Sequence, residues 1–383
     1  MVAIRKFVQL HRANLLIFGG LALLLGWGWW RWSVAVSPAP AQRILYLGGD
    51  EAGIVQLWRS DAGRMAAATP LTNDPDGIAN FTVSPDGTLL AYRALPAEGG
   101  AAGGRIVVMN ADGRSPLDLL TCADFLCLNL AWSPDNQRLI YERRLLLPDG
   151  KLPTAPRIWW LDVISGETYP VLEEDHALSA SATLSPDGQW ISFFAPETES
   201  VELYNFSDGR HFQVQNQVGT AVVWHPTRPI FLMSDFGMVD WPVAADAHLA
   251  ETHRHTSLGV HLFVVDAETQ AYTQLSVTEI VDDATPAWSP DGEWIVFGRR
   301  PARTDLGRQL WLMRADGRDA RPLTDEPLVH HGPPTWSADG RFLLFQRYDT
   351  AAPQPEPGIW LLQLDSGELT EVAANGFLPA WLP

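Results

Sequence analysis

A pentapeptide of the form apolar-Ser-Pro-Asp-Gly recurs along this chain, and its spacing restricts the fold more than any other feature. Full copies stand at Val83-Ser84-Pro85-Asp86-Gly87, Leu184-Ser185-Pro186-Asp187-Gly188 and Trp288-Ser289-Pro290-Asp291-Gly292. Near copies are Trp132-Ser133-Pro134-Asp135-Asn136 and Trp336-Ser337-Ala338-Asp339-Gly340, with degenerate ones at Trp224-His225-Pro226 and Trp381-Leu382-Pro383. The marker positions 83, 132, 184, 224, 288, 336 and 381 lie 49, 52, 40, 64, 48 and 45 residues apart. Pro presets φ, Asp bonds to the backbone ahead of it and Gly accepts positive φ, so each copy reads as a tight turn. An apolar strand follows each turn. A second strand then ends in its own turn, as in Gln309-Leu-Trp-Leu-Met-Arg-Ala-Asp-Gly317, and a short outer strand such as Pro322-Leu323-Thr324 closes the unit. Four antiparallel strands at this period predict blades of a β-propeller.

The phase of the repeats predicts how the ring closes. Residues 44–47 enter with a second-strand pattern, and no first strand precedes them. Phe377-Leu-Pro-Ala-Trp381 matches Ala284-Thr-Pro-Ala-Trp288, so the missing strand is expected at the other end of the chain. The prediction is an all-β, seven-bladed propeller over 43–383. A six-bladed ring would require the Trp224 marker to be false.

The first 36 residues read differently. Arg5, Lys6, His11 and Arg12 precede an uncharged run from 15 to 30, and Trp27, Trp29, Trp30 and Trp32 crowd its far end. With Arg31 snorkelling, residues 13–36 reach the length of a spanning helix with an aromatic belt. Residues 1–36 therefore predict a cytoplasmic basic flank and a signal-anchor, followed by a Pro/Ala spacer at 37–42. Ala39-Pro40-Ala41 also offers a cleavage site, which would make the chain secreted. Either way the propeller is expected outside the cytoplasmic membrane, in a periplasmic or extracellular setting. There Cys122 and Cys127 are a candidate disulfide.

The repeat resembles that of the TolB family over essentially 43–383, on its W-S-P-D-G turns, apolar strands and A-D-G turns. TolB proteins proper carry an α/β domain ahead of a six-bladed propeller, where this chain has only the anchor and spacer. The same repeat builds the non-catalytic propeller of prolyl-oligopeptidase-like peptidases. This chain stops where the ring closes, so no hydrolase domain is expected to follow.

Neither G-x-S-x-G, H-E-x-x-H nor G-x-x-x-x-G-K-[ST] occurs, so no catalytic residue and no cofactor is expected. With 27 basic and 45 acidic residues the net charge is −18, which argues against nucleic acid as a partner. His248, His253 and His255, with Glu251, are weak metal candidates in a spacing that fits no known motif. The loops at 94–104, 144–156, 234–258, 299–307 and 348–357 are long and varied, and all are expected on one face, where function tends to reside. That face gathers Asp74, Asp76, Glu173, Glu174, Asp175, Asp282, Asp283, Asp325 and Glu326, against Arg299, Arg300 and Arg303, with His330 and His331 near the axis. Together these predict a non-catalytic, membrane-anchored scaffold whose acidic rim binds a protein or basic peptide. The rivals are a hydrolase or lyase working in the channel and a sensor of glycans or small molecules.

Overall fold

The turn signatures and alternating apolar strands fold into seven antiparallel sheets arranged as a ring in the computed structural model. It describes residues 43–61, 68–97, 100, 102–147, 154–172, 179–240, 254–276 and 280–383, without the side chains of 238–240 and 254–258. Each sheet runs from an inner strand A to an outer strand D. The A strands are Ile78–Val83, Phe125–Trp132, Ala180–Leu184, Val223–Trp224 and Val281–Trp288 for blades two to six. Blade seven divides its A strand into Val329–His331 and Thr335–Trp336, and blade one takes Gly376–Leu382 from the far end of the chain. Each A strand touches the A strand of the next blade all the way round, so the ring is closed with seven members. In blade one, Arg43 pairs with Leu382 and Ile44 with Trp381, as the repeat phase predicts.

The motif residues have two separate structural roles. In the turns, the Ser hydroxyl donates to the Asp carboxylate, as from Ser84 to Asp86 at 2.7 Å and from Ser337 to Asp339 at 2.6 Å. The same hydroxyl accepts the N–H five residues on, at 2.9 Å for Leu89, Trp190 and Phe342. The turn aspartates are thus satisfied within their own turns. The tryptophan before the Ser is a hook between blades. Trp132, Trp288, Trp336 and Trp381 donate their indole N–H to Thr82, Val223, Ala287 and Thr335 carbonyls, each on the A strand of the preceding blade, at 3.1–3.3 Å. In the degenerate copy, His225 replaces the Ser and its Nδ1 accepts the Thr227 and Arg228 N–H groups.

Apolar side chains fill the spaces between blades. Leu45, Leu47 and Leu57 of blade one meet Leu90, Val107 and Met109 of blade two, and Ile44 and Tyr46 meet Leu344, Ile359 and Leu361 of blade seven. Cys122 and Cys127 form a fully buried disulfide, tying the connection after strand D of blade two to strand A of blade three with Cα atoms 6.3 Å apart.

One loop expectation is corrected. The stretch 234–258 is not a loop throughout, because the B and C strands of blade five, Ile230–Asp240 and Arg254–Asp266, extend beyond the sheet as a paired arm. Met238 pairs with Thr256 and Asp240 with Arg254, so its backbone groups are satisfied by a ladder. The expected anchor and spacer at 1–42 lie outside the described residues. No helix among the described residues is long and apolar enough to cross a membrane.

Candidate functional site

On the face where the B–C hairpins and D–A connections emerge, blades six and seven bring most of the expected binding residues together. Strand A of blade six (Val281–Trp288) and strand B (Trp294–Pro301) run antiparallel in a register that sets Asp282 opposite Arg300 and Asp283 opposite Arg299. Asp283 is fully buried. Arg299 grips it with two bonds, Nε to Oδ1 at 2.6 Å and the second guanidinium nitrogen to Oδ2 at 2.8 Å. That guanidinium also lies over the Trp311 ring at 4.6 Å. Arg300 Nε is 3.4 Å from Asp282 Oδ2. Arg299 and Arg300 thus belong to a strand and not to the predicted loop, and their job begins with holding Asp283 and Asp282.

The connection into blade seven carries Asp325 and Glu326. Gln309 clamps it: its Oε1 accepts the Glu326 N–H at 2.8 Å and the Thr324 hydroxyl at 3.0 Å, while Nε2 donates to the Glu326 and Val329 carbonyls. Blade one builds the same clamp from Gln56, Thr72 and Asp74. Glu326 pairs with Arg347, as Asp74 does with Arg105. Arg347 in turn stacks on Trp360 at 4.4 Å. Sequence reasoning missed Gln309, Arg308 and Arg347. The repeated strings Gln-Leu-Trp and Pro-Leu-Thr-x-acid, at 56–58 with 70–74 and at 309–311 with 322–326, were the available signal.

His330 and His331 lie on the strand Val329–His331 and pair with Tyr348 and Arg347. His330 stacks on the Tyr348 ring at 4.8 Å. His331 is fully buried, with Nδ1 3.1 Å from the Arg308 carbonyl and Nε2 3.5 Å from Glu326 Oε2. The Nδ1 contact to a carbonyl assigns the proton to that nitrogen, leaving Nε2 as an acceptor. Burial, reinforced by Arg308, pushes His330 down to about 4, and burial also pushes His331 below its ordinary range. Both rings are neutral at pH 7. Their folded-state values lie below the unfolded 6.5, so the unfolded chain takes up protons first as pH falls. Thermal stability is expected to be flat above pH 7 and to decline from 6.5 toward 4. His330→Gln should make that decline shallower in melting curves at several pH values; an unchanged slope would show that His330 is not the source.

The acidic rim is corrected in this sector. Asp282, Asp283 and Glu326 are matched by Arg300, Arg299 and Arg347, whereas the exposed Asp305, Asp325 and Asp349 have no ion-pair partner among the described residues. Arg303 stands exposed on the blade-six hairpin with φ of 61° and joins none of these pairs. Three buried atoms at this mouth lack hydrogen-bond partners among the described residues: Arg308 Nε, Arg347 Nε and His331 Nε2. They are two donors and one acceptor. Glu173, Glu174, Asp175, His248, Glu251 and His253 lie outside the described residues, as does the side chain of His255. Among the described residues no group of three His, Cys, Asp or Glu is placed to hold a metal.

By fold, this is a seven-bladed β-propeller, similar to the propellers of TolB proteins. Its solved likenesses include TolB from Acinetobacter baumannii, at 16% identity over 86% of this chain and 79% of that one, with a TM-score of 0.50. A puromycin hydrolase matches at 15% identity over 89% of this chain and 55% of its own, with a TM-score of 0.62. A prolyl endopeptidase matches at 13% over 88% and 48%, with a TM-score of 0.60. The chain therefore spans about half the length of those two enzymes, and at these identities the likeness is one of fold. No protein-family model and no curated protein matches the sequence.

Proposed function

We propose that the propeller is a non-catalytic recognition scaffold, held outside the cytoplasmic membrane by residues 13–36, and that it takes a protein or peptide partner at the mouth formed by blades six and seven. The observation that carries this reading is the trio Arg308 Nε, Arg347 Nε and His331 Nε2, buried without partners where the surrounding polar groups are paired. Leaving such groups unmatched costs about 1–3 kcal/mol each, and a peptide backbone supplies both an acceptor and a donor to meet them. The opposite face differs: its turn hydroxyls and carboxylates bond to one another blade after blade. The mouth favours an acceptor-rich segment over the basic one the sequence suggested, because Asp282, Asp283 and Glu326 are already paired with arginines. The Cys122–Cys127 disulfide supports an oxidising compartment.

The test places a photo-crosslinking residue at Arg303 or Asp325, both exposed at the mouth, and at Ile164, 90% exposed on the opposite face. In intact spheroplasts, protein adducts are expected from 303 and 325 and not from 164, and added protease should digest the propeller. Equal adducts from 164, or a propeller wholly protected from protease, would overturn the proposal.

A further inference from the structure

Blade three repeats the charged device of blade six with one half replaced. Strand A of blade three, Phe125–Trp132, and strand B, Arg138–Leu145, pair in the register seen in blade six. There Asp282 faces Arg300 and Asp283 faces Arg299; here Leu126 faces Arg144 and Cys127 faces Arg143. Both arginines are kept and both carboxylates are gone, Cys127 being committed to its disulfide. The stacking is kept as well. Arg143 lies 4.7 Å over Trp159 as Arg299 lies 4.6 Å over Trp311, and it also meets the Phe125 ring at 3.8 Å.

The consequence is a positioned cation without a counterion among the described residues. Arg143 Nε is buried and has no hydrogen-bond partner among the described residues, and Arg143 has no ion-pair partner among them. Arg157 stands directly opposite Arg143 across the sheet. Both line a cavity of about 560 Å³ on the same face as the mouth, bounded by Trp159, Leu145 and, from blade four, Glu197. That volume suits a small organic ligand.

We propose that this cavity binds a small carboxylate on an apolar or planar body, its carboxylate held by the guanidinium of Arg143 where it lines the cavity, and its body against Trp159 and Leu145. A guanidinium fixed by aromatic faces presents its fork edge-on, the geometry of bidentate carboxylate recognition. Exposed Glu197 at the lip favours a single negative charge over a phosphate dianion. The site is separate from the mouth in blades six and seven and does not depend on it.

Calorimetric titration of the full-length chain in detergent with phenylacetate tests the assignment. Saturable one-to-one binding is expected, weakened roughly tenfold or more by Arg143→Gln. A second pair of variants guards against misfolding. Cys122→Ser with Cys127→Asp restores the internal carboxylate and should abolish binding, whereas Cys122→Ser with Cys127→Ser removes the disulfide alone and should retain it. Absence of binding to the unaltered chain, indifference to Arg143→Gln, or displacement by inorganic phosphate as effective as by benzoate would overturn the proposal.

Discussion

Removal of residues 376–383 is expected to abolish cooperative folding of the propeller, although a terminal segment of eight residues is ordinarily dispensable. These residues are the inner strand of blade one, and Arg43–Gly49 would lose its ladder to Gly376–Leu382. Leu382, 4% exposed, leaves the cluster it shares with Leu45, Leu47 and Leu90, and Trp381 no longer reaches the Thr335 carbonyl of blade seven. A bare strand edge and an open ring remain. The combined loss approaches the roughly 5–15 kcal/mol that holds a whole domain together. Soluble yield should collapse, or the melting temperature should fall by more than about 10 °C. Unchanged calorimetric unfolding of the truncated chain would show that the ring closes by other means.

The second large effect is expected at Asp283. Asp283→Ala leaves Arg299 without its two bonds in a site where that side chain is only 16% exposed. Breaking such a pair from one side costs about 3–5 kcal/mol, while replacing both partners by apolar residues of like volume is often close to neutral. Asp283→Leu with Arg299→Met should therefore recover most of the stability lost by Asp283→Ala. Asp325→Lys, on an exposed side chain, should stay within about 0.5 kcal/mol. Urea denaturation measures all three. A double variant as unstable as the single one would mean that Asp283 stabilises the fold other than through Arg299.

The architecture was legible because its signals are local. A Ser-Pro-Asp-Gly turn is made by its own five residues, so its recurrence marks the blades without knowledge of what they touch. The site depended on pairings between distant residues and was harder to read. Asp282 and Asp283 looked like free rim carboxylates because their cancellation by Arg300 and Arg299 requires the register across a bulge between Ala284 and Ala287, with Thr285 at φ of 50°. A slip of one residue there would turn each side chain to the other face. The tryptophans recur before the turns in the sequence, but the direction of each indole N–H, toward the preceding blade, is fixed only by the closed ring. The blade-five arm was hidden because Gly237 and Pro242 interrupt the strand pattern in the sequence.

The pairing that completes blade one also sets a clock. Gly48 and Gly376, partners in register, are separated by 328 positions. A hairpin such as that of Arg43–Gly49 with Val55–Asp61 forms in microseconds, whereas a ribosome adding about 5–20 residues per second needs roughly 15–65 s to deliver the strand it lacks. For that interval the nascent first blade presents a raw edge of Ile44, Leu45 and Leu47, all fully buried once the ring is complete. Synthesis of this chain thus contains a window of vulnerability more than a millionfold longer than its fastest folding step, during which that edge is open to pairing with other chains unless a chaperone shields it.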